Sequence, residues 1–137
     1  MQFDHFEIVG IAIEAGLSIM DVYDSSVQIE VQSKDDDSPL TKADIAAHKT
    51  IIRGLSTINP EVPVVSEEGR VGDPKKGELA WLVDPLDGTK EFIKRNGMFT
   101  VNIALMKRMG PHWKPIFGVV HAPVNRTTWF GGVDVPA

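Results

Sequence analysis

The stretch WLVDPLDGTKEF, residues 81–92, is the most informative segment of this chain for its fold and its chemistry. The apolar run 79–83 that leads into it predicts a strand buried on both faces, because such strands are continuous hydrophobic runs. Asp84 and Asp87 follow this strand, with Pro85 between them. Proline has a fixed φ and no N–H, so we expect the chain to leave the strand at once. The turn would bring both carboxylates to one place at the strand end.

A second predicted strand, residues 62–65, also runs into acidic residues, Glu67 and Glu68. Clustered carboxylates repel one another unless a positive charge neutralises them. Magnesium suits such a cluster, because it prefers oxygen ligands and uses a few carboxylates together with water and substrate phosphate. The backbone carbonyl of Leu86 would be a further oxygen ligand.

Gly88 and Thr89 follow Asp87 in the motif and could bind an anion such as phosphate. Gly88 permits close backbone approach or a positive φ. If Thr89 begins a short helix, the N–H groups of both residues point outward at its positive end, where an anion is favoured. Asp-Pro and Asp-Gly are also common turn signals, so the spacing alone leaves a plain turn as an alternative.

Two helices are predicted before the strands, over residues 3–23 and 41–58. Asp4 with Glu7 resembles a capping box, and Thr41 with Asp44 another. The apolar face of the first helix is expected to carry Phe6, Val9, Ile13, Leu17 and Met20. That of the second is expected to carry Ile45, His48, Ile52 and Leu55. Further strands are predicted at 27–31, 99–106, 115–124 and 126–130. Helices followed by strands with short connections indicate an α+β fold, two helices on a largely antiparallel sheet.

The composition excludes several classes of function. The chain has 137 residues, a net charge of −5 and no cysteine. We therefore expect a single domain, no nucleic-acid binding, and neither disulfides nor thiol chemistry. No apolar run approaches the roughly 20 residues of a membrane span, and the first residues do not resemble a secretory signal. A cytoplasmic protein is the expectation.

The motif WLVDPLDGTKEF resembles the signature of the inositol monophosphatase family, magnesium-dependent and lithium-sensitive phosphatases. Its KEF ending, with SPLTKADIAAH upstream and RNGMFTVNIAL downstream, is similar to the 3'(2'),5'-bisphosphate nucleotidase branch. The aspartate phosphatases of the haloacid dehalogenase class have a spacing of two between their aspartates, whereas Asp84 and Asp87 are three apart. The resemblance implies residues 1–137 as one domain, the N-terminal metal-binding half of a layered α-β-α-β-α fold.

The resemblance also implies a role for each residue. Metal ligands would be Glu67, Asp84, the Leu86 carbonyl and Asp87. Thr89 would orient the attacking water, and Asp44 would hydrogen-bond Thr89 and help to remove the proton, with Glu67 as a third catalytic residue. Gly88 and Thr89 would bind the substrate phosphate through their backbone amides. From the residues alone, Asp44 is better explained as a favourable charge near a helix N-terminus.

The implied reaction is hydrolysis of 3'-phosphoadenosine 5'-phosphate to AMP and phosphate by metal-activated water, a step that serves sulfur metabolism. The family's second half, with a W-D-x-A-x-G metal motif, has no counterpart here, since Trp81, Trp113 and Trp129 precede Leu, Lys and Phe. Self-association or the missing half would then complete the site. The alternatives are an inositol or sugar monophosphatase of the same family, or a catalytically silent domain that acts only as an interaction module.

Overall fold

The computed structural model describes residues 3–25, 39–66, 69–74, 77–94 and 96–133. Within these ranges the helices are α1 (His5–Ser25), α2 (Pro39–Ile58) and α3 (Thr89–Lys94). The strands are β1 (Val64–Ser66), β2 (Gly69–Val71), β3 (Leu79–Asp87), β4 (Thr100–Met109), β5 (His112–Ala122) and β6 (Thr127–Gly132). The predicted strand at 27–31 lies outside the described residues.

The strands form one sheet in the order β2-β1-β3-β4-β5-β6. Only the β1–β3 pair is parallel among these neighbours, and the other four pairs are antiparallel. Helices α1 and α2 pack on each other and on the sheet, where their apolar residues form one core with β3, β4 and β5. This confirms the predicted α+β class. The short strand β2 was not predicted, because its residues lie in a segment rich in turn signals.

Helix α1 exists, and Val9 and Met20 of its predicted apolar face pack against the core, but the prediction is wrong for the other three residues. Phe6 and Leu17 are 70% and 63% exposed. The residues that face the core are Ile8, Ile11, Ala12, Ala15, Ile19 and Tyr23. Apolar side chains occur on more than one face of α1, so helical spacing alone does not select one, and the small alanines on the true face allow close packing. The capping role of Asp4 is confirmed, because its Oδ1 accepts a hydrogen bond from the N–H of Phe6 at 2.9 Å.

Helix α2 begins two residues earlier than predicted, at Pro39. Proline is well suited to the first turn, where its missing N–H costs no helical hydrogen bond. Thr41 therefore lies inside the helix and is not its N-cap. The predicted face is shifted too: Leu55 is buried as expected, but Ile45 is 41% exposed. The buried face carries Leu40, Ala43, Asp44, Ala47, Ile51 and Leu55.

Strand β3 differs from its prediction in two ways. It does not end at Asp84 but continues through Pro85 to Asp87. It is also not buried on both faces, because Trp81 and Val83 are buried whereas Leu82 is 50% exposed. Leu82 lies on the sheet face that points away from α1 and α2, and we call this the open face. A hollow of about 640 Å³ lies on it, lined in part by Leu82, Asp84 and Asn102.

No helix in the described ranges combines the length and the apolar character needed to cross a membrane.

Candidate metal and phosphate site

An irregularity in β3 places the two aspartates of the motif. Asp84 pairs with Asn102 of β4, and Asp87 pairs with Thr100, with a register shift between the two pairs. Three residue steps on β3 therefore match two steps on β4, so β3 carries one extra residue, as in a β-bulge. The bulge contains Pro85. Proline has no N–H to donate to the hydrogen-bond ladder, and a bulge tolerates this because the ladder is interrupted there.

The extra residue changes the direction of Asp87. Residues three apart on a regular strand point to opposite faces of the sheet, since side chains alternate. Thr100 and Asn102 are two apart on β4 and lie on one face, so their partners Asp87 and Asp84 also lie on one face. The structure thus brings the two predicted carboxylates together by a bulge within a strand, whereas the sequence interpretation expected a turn after it.

The carboxylate of Asp87 is held by a neutral side chain. Nδ2 of Asn102 donates a hydrogen bond to Oδ2 of Asp87 at 3.0 Å. The hydroxyl of Thr100 donates in turn to Oδ1 of Asn102, also at 3.0 Å. The sequence interpretation missed both residues. The available signal was two polar residues, two positions apart, in the otherwise apolar strand β4.

Asp84 is partly buried beside the hollow on the open face. Its Oδ1 is a buried oxygen that accepts no hydrogen bond within the described part of the chain, although the residue takes part in another interaction. Leu86, whose carbonyl was the expected backbone ligand, is 3% exposed and anchors the bulge in the core.

Gly88 connects the bulge to α3 in a conformation that favours glycine. Its φ is +101°, and a Cβ at this position would lie 3.1 Å from Cα of Phe99 and 3.2 Å from Oε2 of Glu91. The carbonyl of Gly88 accepts a 2.9 Å hydrogen bond from the N–H of Phe92, which closes the first turn of α3. The expected positive φ is confirmed, and so is the helix that Thr89 begins. The Thr89 side chain is exposed.

An aromatic cluster fixes the position of α3. The ring of Phe92 lies 5.3 Å from that of Phe99 and 5.5 Å from that of Tyr23 in α1, measured between centroids. Phe92 and Phe99 are fully buried. Edge-to-face pairs at this separation are favourable beyond the area they bury. The phenylalanine at the end of the motif therefore ties Gly88 and Thr89 to the core.

The parallel pairing of β1 with β3 aligns the two acidic strand ends. Ser66 is the register partner of Val83, which precedes Asp84. The hydroxyl of Ser66 also lies 3.2 Å from Nδ1 of His48 in α2. His48 is therefore partly buried, as expected, and joins α2 to the end of β1. Glu67 and Glu68, which follow Ser66 in the sequence, lie outside the described residues, so the ligand role of Glu67 stays a prediction.

Asp44 occupies the N-terminal part of α2, one turn before His48. Since α2 runs back toward the start of β1, its N-terminal end lies over the C-terminal end of that strand. Asp44 is 4% exposed, whereas most aspartates are solvated, and the residue is not without an interaction partner. Helix α2 also contacts α3, which Thr89 begins. The catalytic role of Asp44 and its pairing with Thr89 stay predictions.

The donor chemistry of this edge fits a hard cation. Asp84 and Asp87 provide carboxylate oxygens on one face, and the hydrogen bond from Asn102 to Asp87 adds no positive charge. Among the residues that the structure describes, no group of three or more His, Asp or Glu side chains is close enough to hold a metal. Glu67, the third predicted acidic ligand, is not among them.

The sequence pattern of the inositol monophosphatase family matches residues 3–134. A curated relative from Salmonella typhimurium, "3'(2'),5'-bisphosphate nucleotidase CysQ", is 51% identical over 130 residues, which are 90% of this chain and 50% of that protein. The protein of the same name from Escherichia coli K12 is 56% identical over 124 residues, 86% of this chain and 47% of that one. The chain spans about half the length of the curated relatives it matches.

Solved structures show the same fold. The crystal structure of CysQ from Bacteroides thetaiotaomicron, described as a bacterial member of the inositol monophosphatase family, aligns with a TM-score of 0.80 and 39% identity. The alignment covers 96% of this chain and 46% of the other. The extragenic suppressor protein suhB from Bartonella henselae aligns with a TM-score of 0.73 at 28% identity, covering 92% and 46% of the two chains.

Proposed function

The chain belongs to the inositol monophosphatase family, and we propose that it is the metal-binding domain of a magnesium-dependent 3'(2'),5'-bisphosphate nucleotidase. The substrate would be 3'-phosphoadenosine 5'-phosphate, and the products AMP and phosphate. The observation that carries the proposal is the bulge that sets Asp84 and Asp87 on one face next to Gly88 and Thr89. Identities of 51% and 56% to nucleotidases named CysQ support this substrate over an inositol phosphate.

In this proposal the acidic edge binds magnesium. Asp84, Asp87, Glu67 and the Leu86 carbonyl would hold it, and when bound it makes a nearby water more acidic and neutralises phosphate charge. Two carboxylates on one face offer hard oxygen ligands, and the donor to Asp87 is the neutral amide of Asn102. Lithium inhibition, a role in sulfur metabolism and a cytoplasmic location complete the proposal, as the family resemblance implies.

The remaining residues bind the phosphate and move a proton. The backbone N–H groups of Gly88 and Thr89, at the start of α3, would donate to phosphate oxygens, which requires the close approach that a glycine allows. The exposed hydroxyl of Thr89 would orient the attacking water. Asp44 would accept a hydrogen bond from that hydroxyl and so help to draw off the proton, and Glu67 would assist.

The test is phosphate release by the purified chain from 3'-phosphoadenosine 5'-phosphate and, in parallel, from inositol 1-phosphate. Each substrate is assayed with magnesium, with magnesium plus lithium, and after chelation. We expect magnesium-dependent, lithium-inhibited release that is faster with the bisphosphate. Faster release from inositol 1-phosphate would overturn the substrate assignment. No release from a folded sample would overturn the proposal for this chain and favour the silent-domain alternative.

A further inference from the structure

We propose that Asn102 is a positioning residue, which holds the carboxylate of Asp87 in the orientation that receives a divalent cation, and that Thr100 holds the Asn102 amide in place through a second hydrogen bond. This inference rests on the proposed function, because it assumes that Asp87 is a metal ligand. It concerns two residues of β4 to which the sequence analysis assigns no role.

The hydrogen bonds form a chain with one direction. Thr100 donates to Oδ1 of Asn102 at 3.0 Å, and Nδ2 of Asn102 donates to Oδ2 of Asp87 at 3.0 Å. An amide side chain has nearly the same shape in either orientation, so its neighbours must select one. The carboxylate of Asp87 only accepts, so it selects the orientation in which the amide nitrogen faces it, and the hydroxyl of Thr100 then holds the amide oxygen by donating to it. In the reverse orientation, the amide oxygen would face the carboxylate and repel it.

The pairing of β3 with β4 places Asn102 between the two acids. Asn102 is the register partner of Asp84, and Thr100 is the register partner of Asp87. Asn102 thus lies directly opposite one carboxylate while it donates diagonally to the other. Asp84 and Asn102 line the same hollow on the open face. Asn102 therefore lies across the strand pair from one proposed ligand and is hydrogen-bonded to the other.

The chemistry of Asn102 suits the positioning of a metal ligand. An amide donor orients a carboxylate without adding positive charge, whereas a lysine or arginine would compete with the cation for it. The bond is made to Oδ2 of Asp87, so the amide does not occupy Oδ1. Carboxylate ligands of metal sites are commonly held by such hydrogen bonds.

The exposure of Asp87 separates positioning from folding. Its side chain is exposed, so no desolvation penalty requires the bond from Asn102. A carboxylate in solvent rotates freely unless something holds it, and holding it in advance reduces what a cation must order on binding. Loss of the bond should therefore weaken cation binding much more than it lowers stability.

The test is a Mn²⁺ titration of the whole chain, followed by the electron paramagnetic resonance signal of the free ion. Mn²⁺ prefers the same oxygen ligands as Mg²⁺. Asn102→Leu keeps the approximate shape and removes the amide, and we expect it to raise the dissociation constant of Mn²⁺ about tenfold, the lower end for residues that support a ligand. Thr100→Val should give a smaller increase, and Thr100→Ser, which keeps the hydroxyl, should bind like wild type.

Two reference variants make the result decisive. Thr127→Val removes an exposed hydroxyl from β6 that donates to the carbonyl of Asn125, far along the sheet from Asp87, and it should not change Mn²⁺ binding. Asp87→Asn should abolish tight binding. If Asp87→Asn binds like wild type, the metal assignment itself is wrong. If Asp87→Asn loses binding while Asn102→Leu and Thr100→Val keep it, only the positioning role is wrong.

Thermal unfolding of each variant without metal tells a structural role from a positioning role. A purely structural role predicts a lower unfolding temperature with an unchanged dissociation constant in the folded state, which would overturn the inference. If Asn102→Leu fails to fold, the comparison of Thr100→Val with Thr100→Ser still decides the matter, because valine and threonine have the same shape and both favour strands. Rescue by serine but not by valine is the result that the inference requires.

Discussion

A Cβ atom placed on Gly54 of α2 would lie 2.7 Å from Cγ1 of Ile11 in α1. Ile11 is 7% exposed, so the two helices touch at this point through a glycine on one side and a branched side chain on the other. This close approach depends on the absence of a side chain at Gly54. It explains why a residue with poor helix propensity occurs near the end of α2.

Gly54→Ala should therefore destabilise the protein, by about 1–3 kcal/mol, because Ile11 must shift in a packed interface. Gly10→Ala is the matched control, since a Cβ there meets nothing within 4 Å. It should stabilise by about 0.5–1 kcal/mol through helix propensity alone. Urea unfolding of both variants gives the comparison. Equal changes in the two free energies of unfolding would mean that the contact with Ile11 is unimportant.

Asp87→Asn should remove most of the magnesium-dependent phosphate release and leave the protein folded. The change deletes a ligand charge but almost no volume, and the side chain is exposed. Phosphate release and thermal unfolding are measured on the same sample. Asp21→Asn, the same change on the exposed side of α1, is the control and should behave like wild type. Turnover near the wild-type value in folded Asp87→Asn would refute the metal assignment.

Asp44→Asn should slow turnover more than it weakens magnesium binding, because Asp44 is proposed to act through Thr89 and not on the metal. The expected loss in kcat is about 10²-fold or more, the usual contribution of general base catalysis. Titrating magnesium at saturating substrate separates kcat from the apparent metal affinity. A variant with unchanged kcat that needs more magnesium would contradict the Asp44–Thr89 pairing.

His121 should make stability depend on pH. Burial lowers its pKa below the ordinary value of 6.5, while a backbone hydrogen bond with Thr127 opposes part of this change. Below pH 6.5 the unfolded chain then binds a proton that the folded protein does not, so stability rises with pH through this range. The contribution of the buried, neutral His121 to the free energy of unfolding is complete above pH 6.5. It is lost as the pH falls from there toward the lowered pKa of His121 in the folded state.

His121→Asn tests this dependence. Asparagine retains a donor or acceptor near Nδ1, which lies 2.7 Å from the hydroxyl of Thr128. Urea unfolding at pH 7.5 and pH 5.5 should show a smaller loss of stability on acidification in the variant than in wild type. His112→Asn, at an exposed site, should retain the full loss. Identical pH dependence in all three proteins would show that His121 does not titrate as its burial implies.

Much of the architecture could be predicted from local patterns. The spacing of apolar residues predicted α1 and α2, and the alternating runs before and after residue 110 predicted β4 and β5. The motif also predicted a positive φ at Gly88 and a helix at Thr89, because both follow from the backbone preferences of a few adjacent residues. Belonging to the family was visible for the same reason, since its signature is contiguous.

The faces of the helices and the course of β3 could not be predicted in this way. In α1, Phe6, Ile13 and Leu17 form an apolar stripe as regular as the buried one, and only contact with α2 and the sheet selects between the two. The proline in β3 predicted a turn, but pairing with β4 keeps the strand intact as far as Asp87. Both outcomes depend on partners distant in sequence, which local propensity does not contain.

The sequence by itself determined which chemical groups this protein brings to its acidic edge: Asp84, Asp87, Gly88 and Thr89, in that order along the chain. Only the tertiary structure decided that the two carboxylates lie on the same face and that Asn102 holds one of them. The physical reason is strand register. On a regular strand, two side chains three residues apart point to opposite faces. Because β3 has one residue more than β4 between the two register pairs, a bulge forms there and Asp87 points to the same face as Asp84.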